Sequence, residues 1–232
     1  MTTHGPEQAL TRILAAIVRD HELADLFADV VRDCASLLPA DAAAILVDNG
    51  RHGLELLSAT SHRTAELEVY QAQRSNGPCV DVLATGEAIS ATGTAEIVDR
   101  WPDVGQLVVA SGFRAVHAFP MTWHGQTVGG LNVFSERPEP LSEASQALAQ
   151  HFADAATLAL LQPRGLDDDE LAERVAAALE GRAVIEQAKG VLAQRLGLDM
   201  AAAYDNLVDR ALHDAASLSA TARQVIGEAQ GR

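Results

Sequence analysis

The stretch that decides the architecture is Arg182-Ala-Val-Ile-Glu-Gln-Ala-Lys-Gly-Val-Leu-Ala-Gln-Arg-Leu-Gly197. At about 100° per residue, Ile185, Ala188, Leu192 and Leu196 fall on one stripe, which Val184 and Val191 widen. That face needs burial. Arg182 and Lys189 stand two turns apart along one rim of the stripe, and Arg195 projects from the other. Their stems are expected to pack while the charged heads stay in water. Lys189 is the single lysine of the chain, since every other member of its 17 basic residues is an arginine. A compact ammonium and a planar guanidinium do different work, which sets this position apart.

Downstream, Gly197 stops the helix and Leu198-Asp199 opens a second one, with Asp199 as N-cap and Ala202, Ala203, Leu207, Val208 and Ala211 facing inward. Leu218-Ser219 is expected to open a third in the same way, leading to Ala222, Val225 and Ile226. Upstream, Leu171, Val175 and Ala178 prolong the apolar stripe, so Leu171 to Leu196 reads as nearly one helix with Gly181 and Gly190 as weak points. Asp167-Asp-Asp-Glu170 places negative charge on its first turn, and Gln162-Pro-Arg-Gly-Leu166 reads as a linker. A stripe longer than a three-helix core needs a partner, and pairing of two such helices in a homodimer supplies one.

Nearer the N-terminus, Glu7 to Asp20 and Glu22 to Leu38 carry helical spacing. Ala42 to Val47 and Leu54 to Ala59 then read as a hairpin around Asp48-Asn-Gly-Arg51. Thr64 to Arg74 and Cys79 to Thr85 are predicted helices separated by Asn76-Gly-Pro78, and Ala88 to Ala91 is a short strand. Pro102 to Ser111 returns to helix. Ala115 to Trp123 and Thr127 to Phe134 form a second hairpin around His124-Gly-Gln126, and Leu141 to Leu161 is a long helix with Ser142 as its N-cap. This order predicts an α+β fold: an antiparallel sheet flanked by helices, followed by a small all-α unit.

With 232 residues and 48% hydrophobic content, the chain has room for one large domain and a small one. No apolar run is long enough to span a bilayer, and Met1 to Leu10 lacks the layout of a signal peptide. Cys34 and Cys79 have no metal-ligand spacing, so the expectation is a cytoplasmic protein without a metal site. A net charge of −15 excludes wholesale coating of a nucleic-acid backbone, so any nucleic-acid role has to be local. Gly86 to Gly93 lacks the glycines and lysine of a phosphate loop, and no nucleophile, histidine and carboxylate grouping has motif support. The expectation is therefore a non-enzyme, and the sequence names no cofactor.

Several short motifs in fixed order, Gly77-Pro-Cys-Val-Asp81, Thr85-Gly-Glu87, Trp101-Pro102, Gly112-Phe-Arg-Ala-Val116, Phe119-Pro120 and Gly129-Gly-Leu-Asn-Val-Phe-Ser135, resemble the GAF domains of actinobacterial regulators. That resemblance spans roughly 10–161. Arg182 to Gly190, Ala203-Tyr-Asp-Asn-Leu207, and Leu218 with Ala222 resemble an ANTAR domain, the antiterminator module that binds RNA. Val208, Ala215, Ala216 and Ser217 depart from it, standing where the family often has basic residues or Asn.

Together the resemblances imply a GAF-like sensor over 1–163 and an ANTAR-like RNA binder over 164–232 that grips hairpin loops in nascent transcripts. In that reading Arg182, Lys189 and Arg195 meet phosphates, and Tyr204 stacks on or props a splayed base. The plainer reading of the same residues is a surface ladder through Glu186, with Tyr204 in the core. For the sensor, resemblance implies a small-molecule pocket on the sheet, with Cys79, Trp101 and His117 as candidate lining. Cys79 at a helix start is either a thiol whose pKa the dipole lowers or simple core filling. His117 is either a haem-iron ligand or a structural histidine, and Trp101 is core or pocket wall. The rival reading is an acidic dimeric protein-interaction module that has lost RNA binding. Burial of Arg182 and Lys189, or their capture by carboxylates, would favour that rival.

Overall fold

The computed structural model describes residues 5–19, 22–50, 53–161 and 168–231. Helices α1 (Pro6–Val18) and α2 (Leu23–Leu37) precede a hairpin of β1 (Ala42–Asp48) and β2 (Leu54–Ala59). Then come α3 (His62–Arg74), α4 (Pro78–Thr85), β3 (Ile89–Thr92), α5 (Thr94–Arg100) and α6 (Pro102–Ala110). A second hairpin, β4 (Ala115–Trp123) and β5 (Gln126–Ser135), leads into α7 (Glu143–Leu161). The five strands form one antiparallel sheet in the order β2-β1-β5-β4-β3.

Strand alternation divides the core. Ala43, Ile45, Val47, Phe119, Met121, Leu131 and Val133 face α1, α2 and α7, where they meet Phe27, Val30 and Phe152. Ala42, Val116, Ala118 and Phe134 point the other way, onto Leu67, Ile97, Trp101, Val104 and Phe113. Each Val, Ile, Leu, Met or Phe among them withdrawn from water stabilises the fold by about 1.5–3 kcal/mol, so a sheet covered on both faces needs few aromatics. Pro120 is tolerated inside β4 because β3 pairs only as far as Ala118, leaving the outer edge of β4 without a strand to receive an N–H.

Beyond the sheet domain, α8 (Asp168–Leu196) is a single 29-residue helix, followed by α9 (Met200–His213) and α10 (Leu218–Ala229). Gly197, at φ +65°, ends α8 in the left-handed conformation. Asp199 caps α9 as expected, its Oδ1 accepting from the Ala202 amide at 2.8 Å. The two halves of α8 belong to different cores. Ile185, Ala188 and Leu192 pack with Ala203, Leu207, Ala211, Leu218, Ala222 and Val225 inside the tail. Val175 and Ala178 instead join the core of the sheet domain beside α2 and α7. The partner that the extended stripe required is thus supplied by the same chain.

Two expectations need correction. The cap of α10 is Ser217, whose hydroxyl accepts from the Ala220 amide at 3.2 Å, and Ser219 is committed elsewhere. Helix α5 was not foreseen, because its seven residues are too few for a period to stand out. Its start is marked by Glu96 reaching back to accept the Thr92 amide at 2.8 Å. The linker, Asp167 and the side chains of Asp168 to Leu171 lie outside the described residues.

Candidate functional site

On α8, Lys189 is 1% exposed, and its ammonium donates to both oxygens of Glu186 at 2.8 and 3.0 Å. Its other neighbours are Nδ1 of His62 at 3.4 Å and the face of the Tyr204 ring at 5.4 Å. Arg182 donates from Nη1 to the Leu56 carbonyl at 3.1 Å, and the Tyr204 hydroxyl donates to the Ala59 carbonyl at 3.3 Å. Burial raises the Tyr204 phenol above its ordinary pKa. The fold therefore gathers Arg182, Lys189 and Tyr204 on one surface, and that surface lies against strand β2 and the start of α3. Arg195 is separate and exposed, its guanidinium donating to the Glu228 carbonyl at 3.3 Å.

The expectation of wetted heads fails for Lys189, because the first turn of α3 sits over its ammonium. The ladder through Glu186 is half formed: Lys189 uses it, whereas Arg182 bonds to the sensor. The cavity left among Leu56, Ser61, His62, Arg182, Lys189 and Tyr204 has room for water, with about 40 Å³ open to it.

A second set of contacts closes the same seam from α2. Asp25 accepts from the Ser219 amide at 2.8 Å and from the Ser219 hydroxyl at 2.6 Å. Glu22 accepts from Arg223 at 2.6 and 2.7 Å. Glu22, Asp25 and Ser219 were missed in the sequence because acids flanking an amphipathic helix read as solvated positions. The one available signal was a redundant pair of serines, Ser217 and Ser219, at a helix start that needs only one cap.

Inside the sheet domain the three pocket candidates do not converge. Cys79 is fully buried at the start of α4, and a Cβ on Gly130 would lie 2.9 Å from its sulfur. Burial, and then the charges of Glu68 and Asp48, push its thiol well above the ordinary range, so the lowered pKa expected from the helix dipole is absent. Trp101 packs in the cluster of α5 and α6, its indole N–H donating to Asp81 at 3.2 Å. His117 is flanked by Val116 and Ala118, which face Trp101, so its ring points to the opposite side of the sheet. Its Nδ1 lies 2.7 Å from the Ser90 hydroxyl, its Nε2 has no partner among the described residues, and burial lowers its pKa to about 4.

The polar centre of the sensor is instead Glu68, Gln71 and Asn132, all fully buried. Asn132 Nδ2 donates to Glu68 at 2.7 Å, Gln71 Nε2 donates to the other carboxyl oxygen, and Gln71 Oε1 accepts the Cys79 amide at 3.0 Å. Asn132 Oδ1 has no partner among the described residues. Burial pushes the Glu68 carboxyl up to about 8 against the lowering effect of these two donors. A signal was present: Thr64, Leu67, Glu68 and Gln71 share the inward stripe of α3, so a carboxylate and an amide occupy core positions. Among the described residues no group of three or more His, Cys, Asp or Glu side chains could hold a metal ion, and no helix is long and apolar enough to cross a membrane.

Comparison with known proteins places these features. The GAF domain model matches residues 22–160 and the ANTAR domain model matches residues 173–226. No match is found among curated proteins. Among solved structures, the chain is similar to the phycocyanobilin-bound GAF domain of a cyanobacterial phytochrome, with TM-score 0.53, 17% identity, and 69% of this chain and 96% of that one covered. It is also similar to the GAF domain of a Coxiella burnetii phosphoenolpyruvate-protein phosphotransferase, with TM-score 0.51, 17% identity, and coverage of 79% and 99%. The corresponding domain from Acinetobacter gives TM-score 0.51, 15% identity, and coverage of 74% and 93%. Identities this low speak to the fold alone. GAF domains are ligand sensors and ANTAR domains are RNA-binding antiterminator modules. The chain belongs to the GAF family, carries a C-terminal ANTAR domain, and is a regulator.

Proposed function

We propose that this regulator is a sensor-gated antiterminator, which binds hairpin loops of a nascent transcript through Arg182, Lys189, Arg195 and Tyr204 once its tail has left the sensor. The observation that carries the reading is the convergence of Arg182, Lys189 and Tyr204 on one surface of a matched ANTAR domain. Cations and a stackable ring are what recognition of an unpaired loop requires. In the arrangement described, those groups are engaged by β2 and α3, and Lys189 is held by a carboxylate. This closed arrangement does not bind RNA. It favours the protein-interaction rival unless the tail separates.

Separation is physically accessible because many of the contacts across the seam are hydrogen bonds and ion pairs, which water can replace at small net cost. Leaving the sensor also uncovers Val175 and Ala178, so release and homodimer pairing along α8 are coupled events. A small molecule that binds the GAF domain would act by shifting this balance, and only to the extent that it binds the two states unequally.

A gel-shift titration of a two-hairpin RNA tests the reading, using the wild-type chain, Glu22→Lys, and Glu22→Lys with Lys189→Ala at several salt concentrations. Charge reversal at Glu22 repels Arg223 and is expected to raise affinity at least about tenfold. The added Lys189→Ala is expected to reverse the gain. Absence of loop-dependent binding by Glu22→Lys at low salt would leave the interaction module as the better account, and sedimentation of the same variants would reveal whether opening and dimerisation travel together.

A further inference from the structure

We propose that the N-terminal turn of α2 is an autoinhibitory clasp, and that the missing side chain at Gly181 is the notch that lets it close. The functional consequence rests on the RNA reading above; the clasp itself does not.

Three residues of one helix end engage both α8 and α10. Glu22 holds Arg223, and Asp25 holds the backbone and hydroxyl of Ser219. Between them Ala24 is seated on α8 at Gly181. A Cβ at Gly181 would lie 2.6 Å from the Ala24 methyl and 3.3 Å from Glu22 Oε1. The Ala24 methyl is fixed to its own backbone and cannot swing aside, so one added carbon at 181 forces the helices apart. A glycine in the middle of a 29-residue helix weakens that helix. The close approach of α2 gives it a reason to be there.

Gly190 supplies the contrast. It lies in the same helix, and a Cβ there would meet nothing within 4 Å among the described residues. Alanine at either position raises helix propensity equally, and only at 181 does it collide with the sensor. None of Glu22, Ala24, Asp25 or Gly181 is a candidate RNA contact, so the clasp and the surface it covers are separable. Lys189 is the natural reporter: it is the single lysine, 1% exposed, with His62 of the sensor at its ammonium.

The test is brief acylation of the full chain by an amine-reactive reagent without RNA, with modification of Lys189 read by peptide mass spectrometry and the α-amino group counted apart. Gly181→Ala is expected to raise the Lys189 rate at least about tenfold, in proportion to the population of the open state. Gly190→Ala is expected to leave it unchanged. Should Gly181→Ala fail to fold by circular dichroism, the Glu22–Arg223 pair decides. Glu22→Arg is then expected to expose Lys189, and adding Arg223→Glu to protect it again. A folded Gly181→Ala chain as protected as wild type overturns the clasp, as does a protected Glu22→Arg chain. A reactive lysine in a chain that still ignores RNA upholds the clasp and removes the RNA reading; a protected lysine in a chain that binds hairpin loops does the opposite.

Discussion

Two ionisable side chains are buried to the same degree in this molecule, and they are buried by different things. Glu68 is 0% exposed and walled entirely by its own domain, with Gln71, Asn132 and the Cys79 sulfur around it. Lys189 is 1% exposed, yet its carboxylate partner Glu186 keeps 38% of its side-chain surface in water, and its ammonium faces His62 from a different domain. Burial by one's own core is a permanent feature of the fold. Burial by a neighbouring domain lasts as long as the docking does, which is what a switch needs. Nearly equal exposures thus describe a carboxyl sealed within its own domain in one case and an ammonium covered by a second domain in the other.

The largest predicted effect concerns Glu68. Its folded pKa of about 8 stands above the ordinary 4.5, so the folded state holds one proton more than the unfolded state between those values. The stability it contributes is complete below about 4.5 and is lost as pH rises toward 8. Glu68→Gln removes that slope, and chemical denaturation at pH 5 and pH 8 should find the stability difference between variant and wild type moving by a few kcal/mol. Parallel curves would mean that the carboxyl is not sealed. His117 runs the other way: a folded pKa of about 4 implies that stability falls as pH drops from about 6.5 toward 4.

At the seam the effects are smaller and act on opening. Asp25→Ala strands the Ser219 amide and hydroxyl and should weaken closure by about 1.5–3 kcal/mol, visible as faster proteolysis between sensor and tail. Tyr204→Phe removes one bond to the Ala59 carbonyl, worth about 0.5–1.5 kcal/mol of closure by the same assay. Lys189→Met should cost about 1 kcal/mol of folding stability, since the Glu186 left without its cation keeps 38% of its side-chain surface in water, while abolishing RNA binding. A large loss of stability there would make Lys189 as structural as Glu68 and erase the distinction.

Most of the fold was legible in the sequence because long apolar periods and turn residues carry it. The inward stripe of Ile185, Ala188 and Leu192, the Asp199 cap and the second hairpin all stand where spacing put them, whereas Leu196, the last residue expected on that stripe, is 47% exposed where α8 runs out past its core. What escaped depends on contacts between distant segments. Nothing local distinguishes Asp25 from any solvated acid, and its partner Ser219 lies 194 residues away. Glu68 was visible as a charge on a core stripe and passed over, because a long run of α3 looked simply amphipathic. Strand parity could have separated His117 from Cys79 and Trp101, had the parity of β4 been set against its neighbours Val116 and Ala118. The basic rim was legible as a line of residues, but the identity of the surface facing it was not.

The most direct measurement is the salt dependence of hairpin-RNA affinity for the Glu22→Lys chain with and without Arg182→Ala. If Arg182 meets a phosphate once the tail is free, its loss lowers the slope of log affinity against log salt by about 0.7–0.9. An unchanged slope, with affinity intact, would mean that the rim of α8 never touches RNA.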